Sequence, residues 1–291
     1  MKDILVCNNL TKSYKKEKIV KQIQLKFKEN SICGLLGRNG SGKTTILNMI
    51  SGHSFYDKGN IYVKGKLLLK GCIHQDICYV KDRQHFFWNQ TVMEVLKIAS
   101  SFYQNWDWKA ASALLEEFSL DPAIKCRKLS RGMETMVGII IGMASRAPIT
   151  IFDEPDAGLD SVMREKFYSL LLEDYTEYPR TIIISTHLVD ECAKLLEKIY
   201  VIDSGEVILE ENIDELRSKM YSLYGERDQI DRFIENKDVL HVESVGNKKI
   251  VNIFHPLSSE DIYNLEKSDV SVGNLSVQHF LTQLLERKKN H

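Results

Sequence analysis

The sequence predicts an α/β fold. A parallel sheet covered on both faces is interrupted by an all-helical insertion, and a small α+β domain follows. Three observations lead there. After Pro148, short apolar runs alternate with helical patterns: ITIFD, a helix over 161–176, TIIIS, a helix over 188–197, then IYVID. Such alternation marks buried parallel strands joined by helical crossovers. Between Thr91 and about Ala144 the pattern is helical with few strand signals. From about Met220 the order is strand, helix, strand, strand, helix, strand, that of a ferredoxin-like sandwich, and the helix SVQHFLTQLLERK closes the chain.

The elements follow in order. Residues 3–8 and 19–27 read as an antiparallel pair joined by the lysine-rich TKSYKKEK, a solvated hairpin. SICGLL is a short buried strand, and ILNMISG after the next loop has helical spacing and stops at Gly52. GNIYVKGKLLL gives a second antiparallel pair, and ICYV (77–80) another buried strand. TVMEVLKIASSFY opens with Thr91 and Glu94 at capping-box spacing. Asp107 to Phe118 forms a second helix, and Asp121-Pro122 a turn. Ser130 caps a third helix with Glu134 in its first turn. Domains are expected at 1–217, with the helical part about 82–146, and at 218–291.

Composition excludes several classes. The chain has 291 residues, 43% hydrophobic and 27% charged, with a net charge of −1. That balance gives no electrostatic footprint for nucleic acid or a membrane surface. The longest apolar stretch, MVGIIIGMA, is too short to span a bilayer, and MKDILVCNNLTKSY lacks the apolar core of a signal peptide. Six scattered cysteines form no C-x-x-C pair and read as reduced thiols; Cys72, Cys78 and His74 match no usual zinc spacing. His241, His255 and His279 are scattered and read as structural.

Chemistry concentrates in GLLGRNGSGKTT. Gly37-Arg38-Asn39-Gly40-Ser41-Gly42-Lys43-Thr44 fits G-x-x-x-x-G-K-[ST], with Thr45 completing the stretch. Set between a buried strand and a helix, the glycines let backbone N–H groups point inward, and the helix start adds positive potential. That is a triphosphate cradle. Lys43 would reach the β- and γ-phosphates and the Thr44 hydroxyl would hold Mg²⁺. Asp153, ending ITIFD beside a glycine loop on the neighbouring strand, would hold the hydration shell of Mg²⁺. Glu154 directly after it would polarise an attacking water.

With these motifs the chain resembles the nucleotide-binding subunit of an ABC transporter, from about Ile4 to Leu216. LSRGM (129–133) is similar to the family signature LSGGQ and precedes ITIFDEP at the family distance. The resemblance implies a P-loop NTPase cassette with a mixed sheet. It also implies ATP held between two subunits facing head to tail, identical or not. Ser130 and Gly132 would then contact the γ-phosphate bound by the facing subunit. AGLDS resembles the D-loop, with Asp160 linking the two sites. His187 resembles the switch histidine, and Tyr14 the aromatic that stacks on adenine.

Two departures stand out. Asp82 occupies the place of a glutamine that touches Mg²⁺ and the attacking water; Gln84 is the alternative if the loop register shifts. Arg131 and Met133 stand where the signature has a glycine and a glutamine. The aromatics of HFFWN (85–89) suit either the core of the helical insertion or the groove that accepts the membrane subunit.

The implied activity is ATP hydrolysis driving a separate transmembrane permease, an exporter of drugs, antimicrobial peptides or similar amphipathic molecules. The subunit would sit on the cytoplasmic face of the membrane, peripheral through that permease. An importer ATPase is one alternative. A soluble ABC ATPase acting on the ribosome or nucleic acid is another, but the single glycine-loop motif, the lack of a heptad run and the near-zero charge speak against it.

Overall fold

The computed structural model describes residues 2–83, 86 and 88–288. Gln84, His85 and Phe87 therefore lie outside the described residues. The chain divides into two compact units, Met1–Glu210 and Glu211–His291. The division falls a few residues before the expected 217/218.

The first unit opens with β1 (Asp3–Tyr14) and β2 (Glu17–Lys28), an antiparallel pair longer than the sequence suggests. The lysine-rich run is exposed but belongs to the strands, because Lys12, Ser13 and Tyr14 pair with Val20, Lys18 and Glu17; only Lys15-Lys16 turns. Then come β3 (Ile32–Leu36), α1 (Lys43–Ile50), β4 (Lys58–Val63), β5 (Lys66–Leu68) and β6 (Ile77–Val80). The insertion carries α2 (Val92–Ser100), α3 (Trp108–Glu117) and α4 (Arg131–Ala144). The α2 capping box is complete, Thr91 accepting from Glu94 N–H and Glu94 accepting from Thr91 N–H. Next are β7 (Ile149–Asp153), α5 (Ser161–Glu177), β8 (Thr181–Thr186), α6 (Val189–Cys192), β9 (Lys198–Asp203) and β10 (Glu206–Asn212).

Two sheets result, of orders β2-β1-β4-β5 and β10-β9-β3-β8-β7-β6. Strands β9, β3, β8, β7 and β6 run parallel, and β3, β7 and β8 are buried throughout, as a sheet covered on both faces requires. Between the sheets, Ile46, Leu47, Met49 and Ile50 of α1 share one core with Leu5, Phe27 and Ile61 on one side and Leu35, Ile151 and Ile183 on the other. On the opposite face, Phe152 meets Phe167 of α5 edge-on at 5.7 Å, and Gly142 of α4 admits the Phe152 ring so closely that a Cβ there would sit 2.5 Å from it.

Three expectations are corrected. Strand β8 separates β3 from β7, so Asp153 does not end the strand beside the glycine loop. Helix α6 covers only part of 188–197, because Leu195 N–H bonds Cys192 in a tight turn and Glu197 N–H is already committed to Ile32 of β3. Strand β10 was not expected; the Ser204-Gly205 turn, with φ of 48° and 80°, folds it back on β9.

The second unit contains α7 (Ile213–Arg217), β11 (Met220–Glu226), α8 (Arg227–Ile234), β12 (Val239–Val245), β13 (Lys248–Phe254), α9 (Ser259–Lys267), β14 (Ser271–Asn274) and α10 (Val277–Arg287). Its antiparallel sheet has the order β12-β13-β11-β14, the split βαβ arrangement of a ferredoxin-like sandwich. Leu223, Ile230, Val251, Ile253, Leu265 and Val270 form its core.

Candidate nucleotide site

The glycine loop is held from behind. The Ser41 carbonyl accepts from Gly205 N–H at 3.0 Å, and Lys21 N–H donates to the Gly205 carbonyl at 2.8 Å. Gly42, φ 108°, caps α1, and Gly37, φ 151°, lies against the Ile202 carbonyl, where a Cβ would approach to 2.2 Å. No larger residue fits there. Asn39, Gly40 and Thr44 face outward at the start of α1, so the loop presents N–H groups and one hydroxyl to a ligand.

Lys43 is 5% exposed. Its Nζ donates to the carbonyls of Gly37 at 2.7 Å and Arg38 at 3.3 Å and lies 3.4 Å from Glu154 Oε1. The ammonium is surrounded by the same kind of oxygen acceptors that phosphate offers. Glu154 follows β7 with φ 51°, a left-handed conformation unusual for glutamate. Its N–H is bonded to the Ser185 carbonyl at 2.7 Å, which holds this backbone in place. Strain of about 1–3 kcal/mol retained beside a ligand cradle is characteristic of a working residue. The other carboxylate oxygen, Oε2, is 2.6 Å from Nδ1 of His187, which stands just past β8. Against a carboxylate acceptor, that nitrogen carries the proton.

Asp153 is 1% exposed, and burial pushes its carboxyl above the usual range. Nearby hydroxyls, Tyr79 among them, and the Lys43 ammonium pull it back. Tyr79 of β6 donates to Oδ2 at 3.0 Å, whereas Oδ1 and the neighbouring Ser185 Oγ have no hydrogen-bond partner. Buried oxygens left unsatisfied next to a threonine hydroxyl fit the hydrated shell of a hard cation such as Mg²⁺. Among the described residues, no group of three or more His, Cys, Asp or Glu could hold a metal unaided. Mg²⁺ is compatible with that, since it binds through one or two carboxylates together with substrate phosphates.

The remaining sequence candidates lie elsewhere. Ser130 caps α4, accepting from Met133 N–H at 3.3 Å, and Asp160 caps α5, accepting from Met163 N–H at 2.9 Å. Gly132 packs on the Gly158 carbonyl, where a Cβ would approach to 2.6 Å. Tyr14 is 50% exposed at the tip of β1, with the Lys12 ammonium 4.9 Å from its ring centre. Asp82, expected at the metal, accepts from Arg131, Oδ1 to Nη2 at 3.0 Å. Trp88 is 78% exposed, which removes it from the core of the insertion. With Phe86, Cys126 and Leu129 it lines a surface depression of about 590 Å³. His85 and Phe87 lie outside the described residues.

The chain resembles known proteins in sequence and in fold. The family model for ABC transporters matches residues 20–157. The lipopolysaccharide export system ATP-binding protein LptB of Haemophilus influenzae is 30% identical over 215 residues, 70% of this chain and 89% of that protein. The bacitracin transport ATP-binding protein BcrA of Bacillus licheniformis is 28% identical over 272 residues, 91% of this chain and 89% of that protein, so its likeness reaches into the second unit. The osmoprotectant import ATP-binding protein OsmV of Salmonella typhimurium is 28% identical, across 72% of this chain and 59% of that protein. Among solved structures, the cassette MJ0796, a dimer in a post-hydrolysis state bound to ADP and Pi, is 26% identical with a TM-score of 0.64, covering 72% of this chain and 98% of that one.

Proposed function

The chain belongs to the ABC transporter family of ATP-binding proteins, and from that premise we propose that it powers a separate permease as an exporter of drugs, antimicrobial peptides or similar amphipathic molecules. The likeness to LptB, of an export system, supports export, and the likeness to the bacitracin transport protein BcrA along both units supports this class of cargo. The likeness to OsmV supports an importer as the second reading. Among the described residues, no helix is long and apolar enough to cross a membrane; in this reading a separate chain supplies the permease.

One observation carries the mechanism: a single carboxylate, Glu154, bridges Lys43 and His187 at 3.4 and 2.6 Å. In the proposed cycle two subunits face head to tail. The backbone of Gly37 to Thr45 and the start of α1 take the phosphates, and Tyr14 stacks on adenine. Lys43 exchanges its carbonyl and carboxylate partners for phosphate oxygens, which frees Glu154 Oε1. That oxygen then accepts the proton of the attacking water while His187 holds Oε2 and fixes the carboxylate plane. Thr44 and Asp153 would hold Mg²⁺, whose chemistry is to neutralise phosphate charge. Ser130, Gly132 and the start of α4 add donors to the γ-phosphate bound by the facing subunit, and Asp160 links the two sites.

The test is transport. The full chain, reconstituted with the membrane protein that co-purifies with it, should drive ATP-dependent accumulation of an amphipathic substrate in inside-out vesicles. Accumulation only in right-side-out vesicles would favour the importer. ATP turnover stimulated by RNA and indifferent to any membrane protein would contradict both.

A further inference from the structure

Two of the three positions at which this chain departs from its family's pattern, Asp82 and Arg131, touch one another. Arg131 Nη2 lies 3.0 Å from Asp82 Oδ1. Asp82 stands two residues past β6, the strand whose Tyr79 holds Asp153. Arg131 is the first residue of α4. Its alkyl stem lies along Gly158, where a Cβ would come within 2.9 Å of Arg131 Cγ. Beside it, Gly132 abuts the Gly158 carbonyl, and the Thr135 hydroxyl donates to the Ala157 carbonyl at 2.8 Å. The start of α4 is thus fixed to the loop after β7 by close packing and a neutral hydrogen bond. It is fixed to the loop after β6 by a charge pair.

The geometry points to Arg131 as a positioning residue for ATP hydrolysis. Its ion pair with Asp82 is a latch that sets the start of α4, and so Ser130 and Gly132, relative to the carboxylates at the end of β7. This rests on the proposed ATPase site. The side chains are 54% and 36% exposed, so the latch is weak and open to screening. Arg83, Arg127 and Glu134 line the same depression and share its field. A weak, solvent-facing pair suits a joint that must give way and reform in each cycle, where a buried one would lock it.

A double-mutant cycle on ATP turnover by the full chain tests this. Asp82→Asn and Arg131→Gln should each lower kcat by about two- to five-fold, the range of an exposed pair. KM for ATP should stay near wild type, because the cradle at 37–45 is untouched. The double variant should be no slower than either single one, and Arg131→Lys should recover most of the loss. Raising salt from about 0.05 to 1 M should close the gap between variants and wild type. Single losses that multiply in the double variant, or a gap unchanged by salt, would overturn the latch. Direct ATP binding by wild type, abolished in Lys43→Ala, is measured alongside. If wild type does not bind ATP, the site reading fails; if it binds and the losses multiply, only the latch fails.

Discussion

Nδ1 of His187 lies 2.6 Å from Oε2 of Glu154, although the two residues directly follow different strands, β8 and β7. The pairing depends on the sheet order, because β8 lies directly beside β7 and Asp153 is in register with Ser185. A histidine that only packed at a strand end would not need that carboxylate. His187→Ala should therefore leave ATP binding within about threefold and lower kcat by about 10²-fold, the low end for acid–base machinery. Steady-state turnover and equilibrium binding together check this. An unchanged kcat would remove His187 from the mechanism.

Arg146 joins the helical insertion to the α/β core. Its Nη2 is 3.0 Å from Asp107, the cap of α3, and its Nη1 bonds Asp174 of α5, which also pairs with Arg180 at 2.8 Å. The guanidinium is only 12% exposed. Removing it leaves Asp107 without its cation and Asp174 with Arg180 alone, so Arg146→Ala should cost about 3–5 kcal/mol in denaturant unfolding. A loss under about 1 kcal/mol would contradict this. The Ala110 N–H, then Arg146, hold the Asp107 carboxyl below the usual range. A depressed folded pKa contributes stability above the unfolded pKa that is lost as pH falls through the folded value. Asp107→Asn should remove part of the acid sensitivity below about pH 5.

Thiol chemistry gives an independent check on packing. Cys72 is exposed, whereas Cys7, Cys33, Cys78, Cys126 and Cys192 are buried. Burial pushes Cys33 up to about 11 and raises the other four buried thiols as well. A raised pKa suppresses the reactive thiolate at pH 8. Ellman's reagent should count one fast thiol in the native chain and six after unfolding. Two or more fast native thiols would mean that the core is looser than described.

Much of this was legible in the sequence because it is local. Thr91 and Glu94 announce a capping box within four residues, and the glycine loop carries its own strand and helix. Sheet order is not local, which is why β8 between β3 and β7 went unread. Nor did Tyr79 signal itself; its contact with Asp153 needs the pairing of β6 with β7. Strand β10 has no buried residue and is weakly patterned, and its signal was the Ser204-Gly205 turn. Asp82 and Arg131 are 49 residues apart, so each read as a separate oddity until the fold joined them.

The most direct measurement is Glu154→Gln in the full chain. Glutamine keeps the shape and removes the base. ATP binding and nucleotide-dependent dimerisation should persist while turnover falls by about 10²–10⁴-fold. Wild-type turnover in this variant would show that Glu154 does not activate water and that the site works in another way.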